Sequence, residues 1–231
     1  MFTEAATETL VAAKKRVNVF LDFDGTLTKS EGRDTVNAPL YAQMIHVPHD
    51  GRRPSYDIAI FLQDEDNNTD YSRLHNILKK GFENKSNDAM QMLNGAKQFI
   101  INLLNETNFA CKIYIITRNR KDYIIPNLMQ AGFEPKQIDA IEIFDINDIK
   151  HGGKGAILKK ISADQPACIS IVADDNPADA RDMRNNISHG RVLCYSEQPG
   201  NFNFSEIEAN LQSTISEIIA ACQNNSYTPR V

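Results

Sequence analysis

The sequence predicts an α/β fold built on a doubly wound, Rossmann-like parallel sheet. Three observations carry that prediction. Short β-rich runs alternate with helix-like segments along the chain. The runs are continuously apolar rather than alternating, as expected for strands covered on both faces. The first of them ends in two carboxylates, Asp22 and Asp24. Open sheets of this kind bind ligands beyond the carboxyl ends of their strands.

The chain begins with "MFTEAATETLVAAKKRV", which reads as a short amphipathic helix. It lacks the apolar run of a signal peptide or a membrane span. "VNVFLD" (17–22) is the first strand. Residues 30–87 then form a connection too long for a plain loop. Within it, "YAQMIHV" and "SYDIAIFLQ" fit a hairpin turning at "HDGRRP", and "DYSRLHNILKKGFEN" fits a helix. The expected division is a core of residues 1–29 and 88–231, with 30–87 as a small cap-like insertion over the active face.

The core resumes with a helix whose apolar residues run from Met90 through Phe99 to Leu104. "KIYIIT" (112–117) is the second strand. "KDYIIPNLMQAGF" is a helix stopped by Gly132, with Pro126 either in its first turn or kinking it. "AIEIFD" (140–145) is the third strand, and "GKGAILKKI" a helix behind a glycine pair. "CISIVAD" (168–174) is the fourth strand. "DNPADARDMRNN" starts a helix with Asn176 as N-cap and Pro177 at the first helical position. "RVLCY" (191–195) is the last strand. "SEIEANLQSTISEIIAACQ" places Ser205 and Glu208 at capping-box spacing, and the polar tail "CQNNSYTPRV" frays.

Composition narrows the class. The 231 residues are 42% hydrophobic and 24% charged, ordinary for a globular domain with a sizeable core. A net charge of −5 gives no support to nucleic-acid or anionic-membrane binding. The four cysteines form no CxxC pair, which argues against zinc. Three of them sit in apolar strand-like runs and pack as small hydrophobes. A reducing, cytoplasmic setting fits; a bacterial effector exported without a cleavable leader would carry the same features. Oligomeric state is not legible.

In a doubly wound sheet, Asp22, Thr117 and the pair Asp174–Asp175 all fall at the carboxyl ends of strands, and Lys154 opens the helix before the fourth strand. Side chains spread over the whole chain therefore meet at one edge. Each has a plainer explanation alone. "DFDG" makes an ordinary turn, Thr117 merely ends a strand, Lys154 sits in solvent with Lys150 or Lys159 as the true partner, and "DDNPAD" is an acidic helix start favoured by the dipole. The ensemble is what points to a site.

On those residues the chain resembles the haloacid dehalogenase (HAD) superfamily in its phosphatase branch. "VFLDFDGTLT" matches the first motif with Asp22, Asp24, Gly25 and Thr26. Thr117 in "IYIITRN" matches the second, Lys154 in "GGKGAIL" the third, and "DDNPAD" with Asp174, Asp175 and Asp179 the fourth. The resemblance implies an Mg²⁺-dependent phosphomonoesterase with Asp22 as nucleophile, forming an aspartyl-phosphate. It implies Asp24 as general acid and base. Thr117 and Lys154 would stabilise phosphoryl charge, with Gly25, Thr26 and Arg118 also lining the phosphate site. Mg²⁺ would be held by Asp22, the backbone carbonyl of Asp24, and Asp175. Asp174 and Asp179 would orient Lys154 or metal-bound water.

Rival expectations are a receiver-like phosphoacceptor domain, a catalytically idle HAD-fold binding module, and a dehalogenase. "DxDGT" on the first strand points away from the receiver, the unsubstituted motif positions argue against the idle module, and Asp24 two residues after Asp22 argues against the dehalogenase. The substrate is a phosphoprotein, including phosphotyrosine, if the insertion leaves the site open, and a small phosphometabolite if it closes. The hairpin-plus-helix pattern favours the open form.

Overall fold

The computed structural model describes residues 16–29, 92–119, 121–149 and 152–225. The expected N-terminal helix, the hairpin and helix of the insertion, and the end of the tail lie outside the described residues.

Five strands form one all-parallel sheet: β1 (Arg16–Leu21), β2 (Ala110–Ile116), β3 (Ile141–Phe144), β4 (Ile169–Ala173) and β5 (Arg191–Tyr195). Their order is β3-β2-β1-β4-β5, so the first strand is central. Each of the five β-rich runs became a strand within a residue or two of its expected bounds. For β1, β2 and β4 the reason is the apolar coat on both faces, which interior parallel strands bury, while the edge strands β3 and β5 are only partly covered.

Helices cover both faces. One face packs α1 (Ala96–Leu104), α2 (Lys121–Gln130), α3 (Pro135–Asp139) and α7 (Phe204–Asn225). Its core runs through Val19, Leu21, Ile113, Ile115, Phe99 and Phe204. The other face packs α4 (Ile146–Ile149), α5 (Gly153–Asp164) and α6 (Pro177–Asn185). Its core includes Phe20, Tyr114, Ile116, Leu158, Ile161 and Met183, with Phe20 stacked on Tyr114 at 5.0 Å. Alternate residues of β1 therefore serve opposite layers, as the period of two requires. Each buried aromatic contributes about 1.5–3 kcal/mol. Among the described residues no helix is long and apolar enough to cross a membrane.

Several local expectations shift. Met90, where the helix was sought, lies outside the described residues, and the described helix starts at Ala96, just after Gly95 in a left-handed conformation (φ 84°). Met92 instead bridges to Thr28, and Leu93 N–H donates to Leu27 O at 2.8 Å. Gly132 closes α2 as expected: Gly132 N–H reaches Met129 O and Phe133 N–H reaches Leu128 O, a Schellman ending. Pro126 lies beyond the first turn of α2, where its missing N–H leaves a rung out of the ladder. Asn176 caps α6 through Ala178 N–H at 2.9 Å, with Pro177 first in the helix.

The Ser205–Glu208 capping box does not form. The helix begins one residue earlier because Phe204 is buried against Phe99, so Asn203 accepts from Glu206 N–H instead. Glu208 accepts from Asn102 of α1. The short helices α3 and α4 were not expected between the second strand and Lys154. Cys111, Cys168 and Cys194 are half-buried, and the Cys168 thiol donates to Arg16 O at 3.0 Å.

Candidate active site

The site is built where β1, β2 and β4 end. Asp22 N–H extends the β1–β4 pairing by donating to Ala173 O at 2.9 Å. The chain then stops being a strand. Phe23 O accepts from Leu27 N–H and Thr28 N–H, folding residues 23–28 into a tight turn. Phe23 and Leu27, both fully buried, anchor that turn in the core. Asp24 thus stands in a tight turn two residues past Asp22, which ends the β1 pairing. The turn needs Gly25: its φ is +78°, and a Cβ there would stand 2.7 Å from Asp175 Oδ2. Thr26 Oγ1 accepts from Asp175 N–H at 3.0 Å, tying the turn after β1 to the turn after β4.

Lys154 lies in the first turn of α5 and is 2% exposed. Its Nζ sits 2.7 Å from Asp22 Oδ1 and 2.7 Å from Asp174 Oδ2. Burial alone would push the ammonium down, but Asp22 and Asp174 outweigh it and hold Lys154 above its ordinary value. Lys154 is therefore the partner of the acids, and Lys159 is an exposed residue further along the helix. The glycine after the lysine also has a physical reason. Gly155 N–H donates to Asp182 Oδ2 of α6 at 2.9 Å, and a Cβ on Gly155 would come 2.4 Å from that oxygen. Close approach of α6 seats the turn that carries Lys154.

The acids differ by environment. Burial, aided by the charge of Asp22, pushes Asp24 up to about 7 against the hydrogen bond it receives from Asn119. Asp24 is thus poised between its acid and base forms near neutrality. Burial and then Asp22 raise Asp174 to about 7, with Lys154 pulling the other way. Burial followed by the charges of Asp22 and Asp174 raises Asp175 to about 8. Carboxylates 4 Å apart repel by about 4 kcal/mol at an effective dielectric of 20, so one lysine does not relieve the whole cluster.

A cation would relieve it. Among the described residues, Asp22, Asp174 and Asp175 each offer a ligand oxygen within 4.8 Å of the others. Both oxygens of Asp174 are already engaged, Oδ2 by Lys154 and Oδ1 by Asn176 N–H. That leaves Asp22 and Asp175 as the side chains best able to hold a metal ion. Hard oxygen donors suit a cation such as Mg²⁺ or Ca²⁺.

Thr117 ends β2, buried, with its N–H on Phe144 O and its Oγ1 accepting from Asn119 N–H at 3.1 Å. Arg118 points to the surface and grips Asp179 of α6 in two hydrogen bonds, Nε to Oδ2 at 3.0 Å and Nη2 to Oδ1 at 2.8 Å. Asp179's own hydrogen bonds thus go to Arg118, whereas the sequence had paired it with Lys154 or water. Burial would raise Asp179, but the hydrogen bond from Arg118 and the charges of Lys154 and Arg118 together hold the carboxyl below its usual value. Every site residue expected from the sequence lies on this one edge. Sequence reasoning missed Asn119 and Asp182. Asn119 had a signal, a polar residue just past a strand end; Asp182 had none, being one charge among many on an exposed helix.

No family model and no curated protein matches the chain. Solved structures do. It is similar to the Legionella pneumophila effector Ceg4, with a TM-score of 0.60 and 20% identity over 87% of this chain and 95% of that one. It is also similar to the HAD domain of the Legionella pneumophila effector Lem4, with a TM-score of 0.58 and 20% identity over 89% of this chain and all of that one. The architecture is that of the HAD fold.

Proposed function

We propose that this HAD-fold chain is an Mg²⁺-dependent phosphatase that hydrolyses phosphomonoesters through an aspartyl-phosphate on Asp22. One observation carries the proposal: Lys154 holds Asp22 by one oxygen, while a second acid two residues away, Asp24, is set near neutrality. A nucleophile and a proton donor thus stand in one pocket.

The ionised carboxylate of Asp22 attacks phosphorus, the bond to the leaving oxygen breaks, and Asp24 gives that oxygen its proton. Water then attacks the phosphorus, passes a proton to Asp24, and releases inorganic phosphate and free Asp22. Lys154 keeps Asp22 oriented and offsets charge on the phosphoryl oxygens. Thr117 offers its hydroxyl hydrogen to a phosphoryl oxygen. Gly25 and Thr26 hold the turn that shapes the phosphate site. Arg118, gripped by Asp179, adds positive potential at the mouth. Asp22, Asp175 and the Asp24 carbonyl would hold Mg²⁺, which supplies charge neutralisation at the phosphoryl group when bound. Asp174 fixes Lys154.

The division into a core (1–29 and 88–231) and an insertion (30–87) belongs to the same proposal, with the insertion selecting substrate. A phosphoprotein substrate is preferred over a small phosphometabolite, because the insertion's pattern is too slight for an enclosing cap. The likeness to two proteins described as effectors supports a secreted effector over a resident cytoplasmic enzyme.

The test is release of 4-nitrophenol from 4-nitrophenyl phosphate, in Mg²⁺ against EDTA, by wild type and Asp22→Asn. We expect Mg²⁺-dependent turnover and a loss of about 10³-fold or more in the variant. Turnover surviving in Asp22→Asn would remove the covalent mechanism, and an inert wild type would favour an idle binding module.

A further inference from the structure

We infer that Asn119 is a positioning residue that decides which oxygen of Asp24 faces the leaving group; this rests on the phosphatase proposal above. Asn119 Nδ2 donates to Asp24 Oδ2 at 3.0 Å. The other oxygen, Asp24 Oδ1, is buried and has no hydrogen-bond partner among the described residues. A buried polar atom left without a partner is costly and asks for an explanation. Here the leaving oxygen of a substrate supplies the partner.

The residue that makes this choice is held at two points of its backbone. Asn119 N–H donates to Thr117 Oγ1 at 3.1 Å, and Asn119 C=O accepts from Ile146 N–H at 3.1 Å. Its backbone is thereby fixed between the end of β2 and the start of α4, and its side chain crosses to the turn after β1. An N–H donor at Oδ2 occupies a lone pair there. Oδ1 is consequently the oxygen with a lone pair not taken by the amide, and the one placed to exchange a proton with the leaving group.

The chemistry then runs through one atom. As the Asp22–phosphorus bond forms and the phosphorus–leaving-oxygen bond breaks, the proton passes from Oδ1 to the leaving oxygen. In the second half, water attacks phosphorus, the Asp22–phosphorus bond breaks, and a water proton returns to Oδ1. Without the amide the carboxyl rotates freely between equivalent oxygens and loses its aim.

The backbone contacts alone would fasten the loop, so a purely structural Asn119 and a positioning Asn119 make different predictions. The full chain with Mg²⁺ is assayed on phenyl, 4-nitrophenyl and 2,4-dinitrophenyl phosphate, whose leaving groups need a proton to decreasing degrees. Asn119→Ala is compared with the isosteric Asn119→Leu, which keeps the packing without the donor, and with Asp24→Ala. A positioning role predicts that kcat/KM for phenyl phosphate falls about 100-fold in both Asn119 variants and that for 2,4-dinitrophenyl phosphate only about threefold, following the Asp24→Ala pattern. An equal loss on all three esters, or no loss, overturns the inference while leaving the phosphatase proposal standing. A wild type inert on all three removes that proposal and the inference with it.

Discussion

The two ends of α5 dock on the same strand by opposite means. At its start, Lys154 reaches Asp22 at the carboxyl end of β1 through a buried ion pair. At its end, the backbone carbonyl of Gln165 accepts from Asn18 of β1 at 3.0 Å, and the side-chain oxygen of Gln165 accepts from Tyr114 O–H at 3.2 Å. Asn18 and Asp22 are four residues apart, on the same face of the strand direction. Both are buried and both are polar. The Asn18 end is neutral, and such hydrogen bonds add about 1 kcal/mol each. The Asp22 end is charged and crowded with like charge, which no fold needs for stability. The contrast separates polar groups that hold a helix from polar groups that are held for chemistry.

The largest expected effect breaks the charged end. Lys154→Met leaves Asp22 and Asp174 buried without their cation, and stability in EDTA at neutral pH should drop by about 3–5 kcal/mol. Activity should fall by about 10²-fold or more, even at temperatures where the variant stays folded. Denaturant unfolding and aryl phosphate turnover measure the two separately; a variant with full activity would show that Lys154 is only a strut.

The next effect is smaller and concerns pH. Asp24, Asp174 and Asp175 stand at about 7, 7 and 8 in the folded chain, above the ordinary Asp value of about 3.9. The folded state thus binds more protons than the unfolded state between about pH 4 and 8. Stability without metal should therefore fall as pH rises through that window. The ionised cluster at the upper end is also the better cation ligand, so the increment in Tm from millimolar Mg²⁺ should grow from pH 5 to pH 8. An increment that shrinks with pH would contradict this arrangement of acids.

The smallest effect lies at the neutral end. Asn18→Leu removes one hydrogen bond and also an Oδ1 that has no partner among the described residues. Stability should change by about 1 kcal/mol, with kcat/KM on aryl phosphate untouched. A large loss of activity would mean that the two ends of α5 are coupled through the helix.

Much of this architecture was legible in the chain. The strands were, because apolar runs such as "VNVFLD" and "CISIVAD" have no other way to bury both faces. So was the Asn176–Pro177 helix start, since a cap is a local bond between neighbours in sequence. The capping box at Ser205 was not, because a tertiary contact of Phe204 moved the helix start. The acids and Lys154 could be gathered on one edge from their places at strand ends and at a helix start in a doubly wound sheet.

What the sequence determined by itself was therefore the kind of site: carboxylates, a lysine and a hydroxyl at the carboxyl edge of a parallel sheet, with glycine where the turn requires it. The tertiary structure alone decided how those groups share their charge and hydrogen bonds. It gave Arg118 to Asp179, Lys154 to both Asp22 and Asp174, and Asn119 to one oxygen of Asp24. The physical reason is range. Helix and strand propensities act between near neighbours, whereas hydrogen bonds and desolvation depend on distances between atoms that only the folded chain brings together.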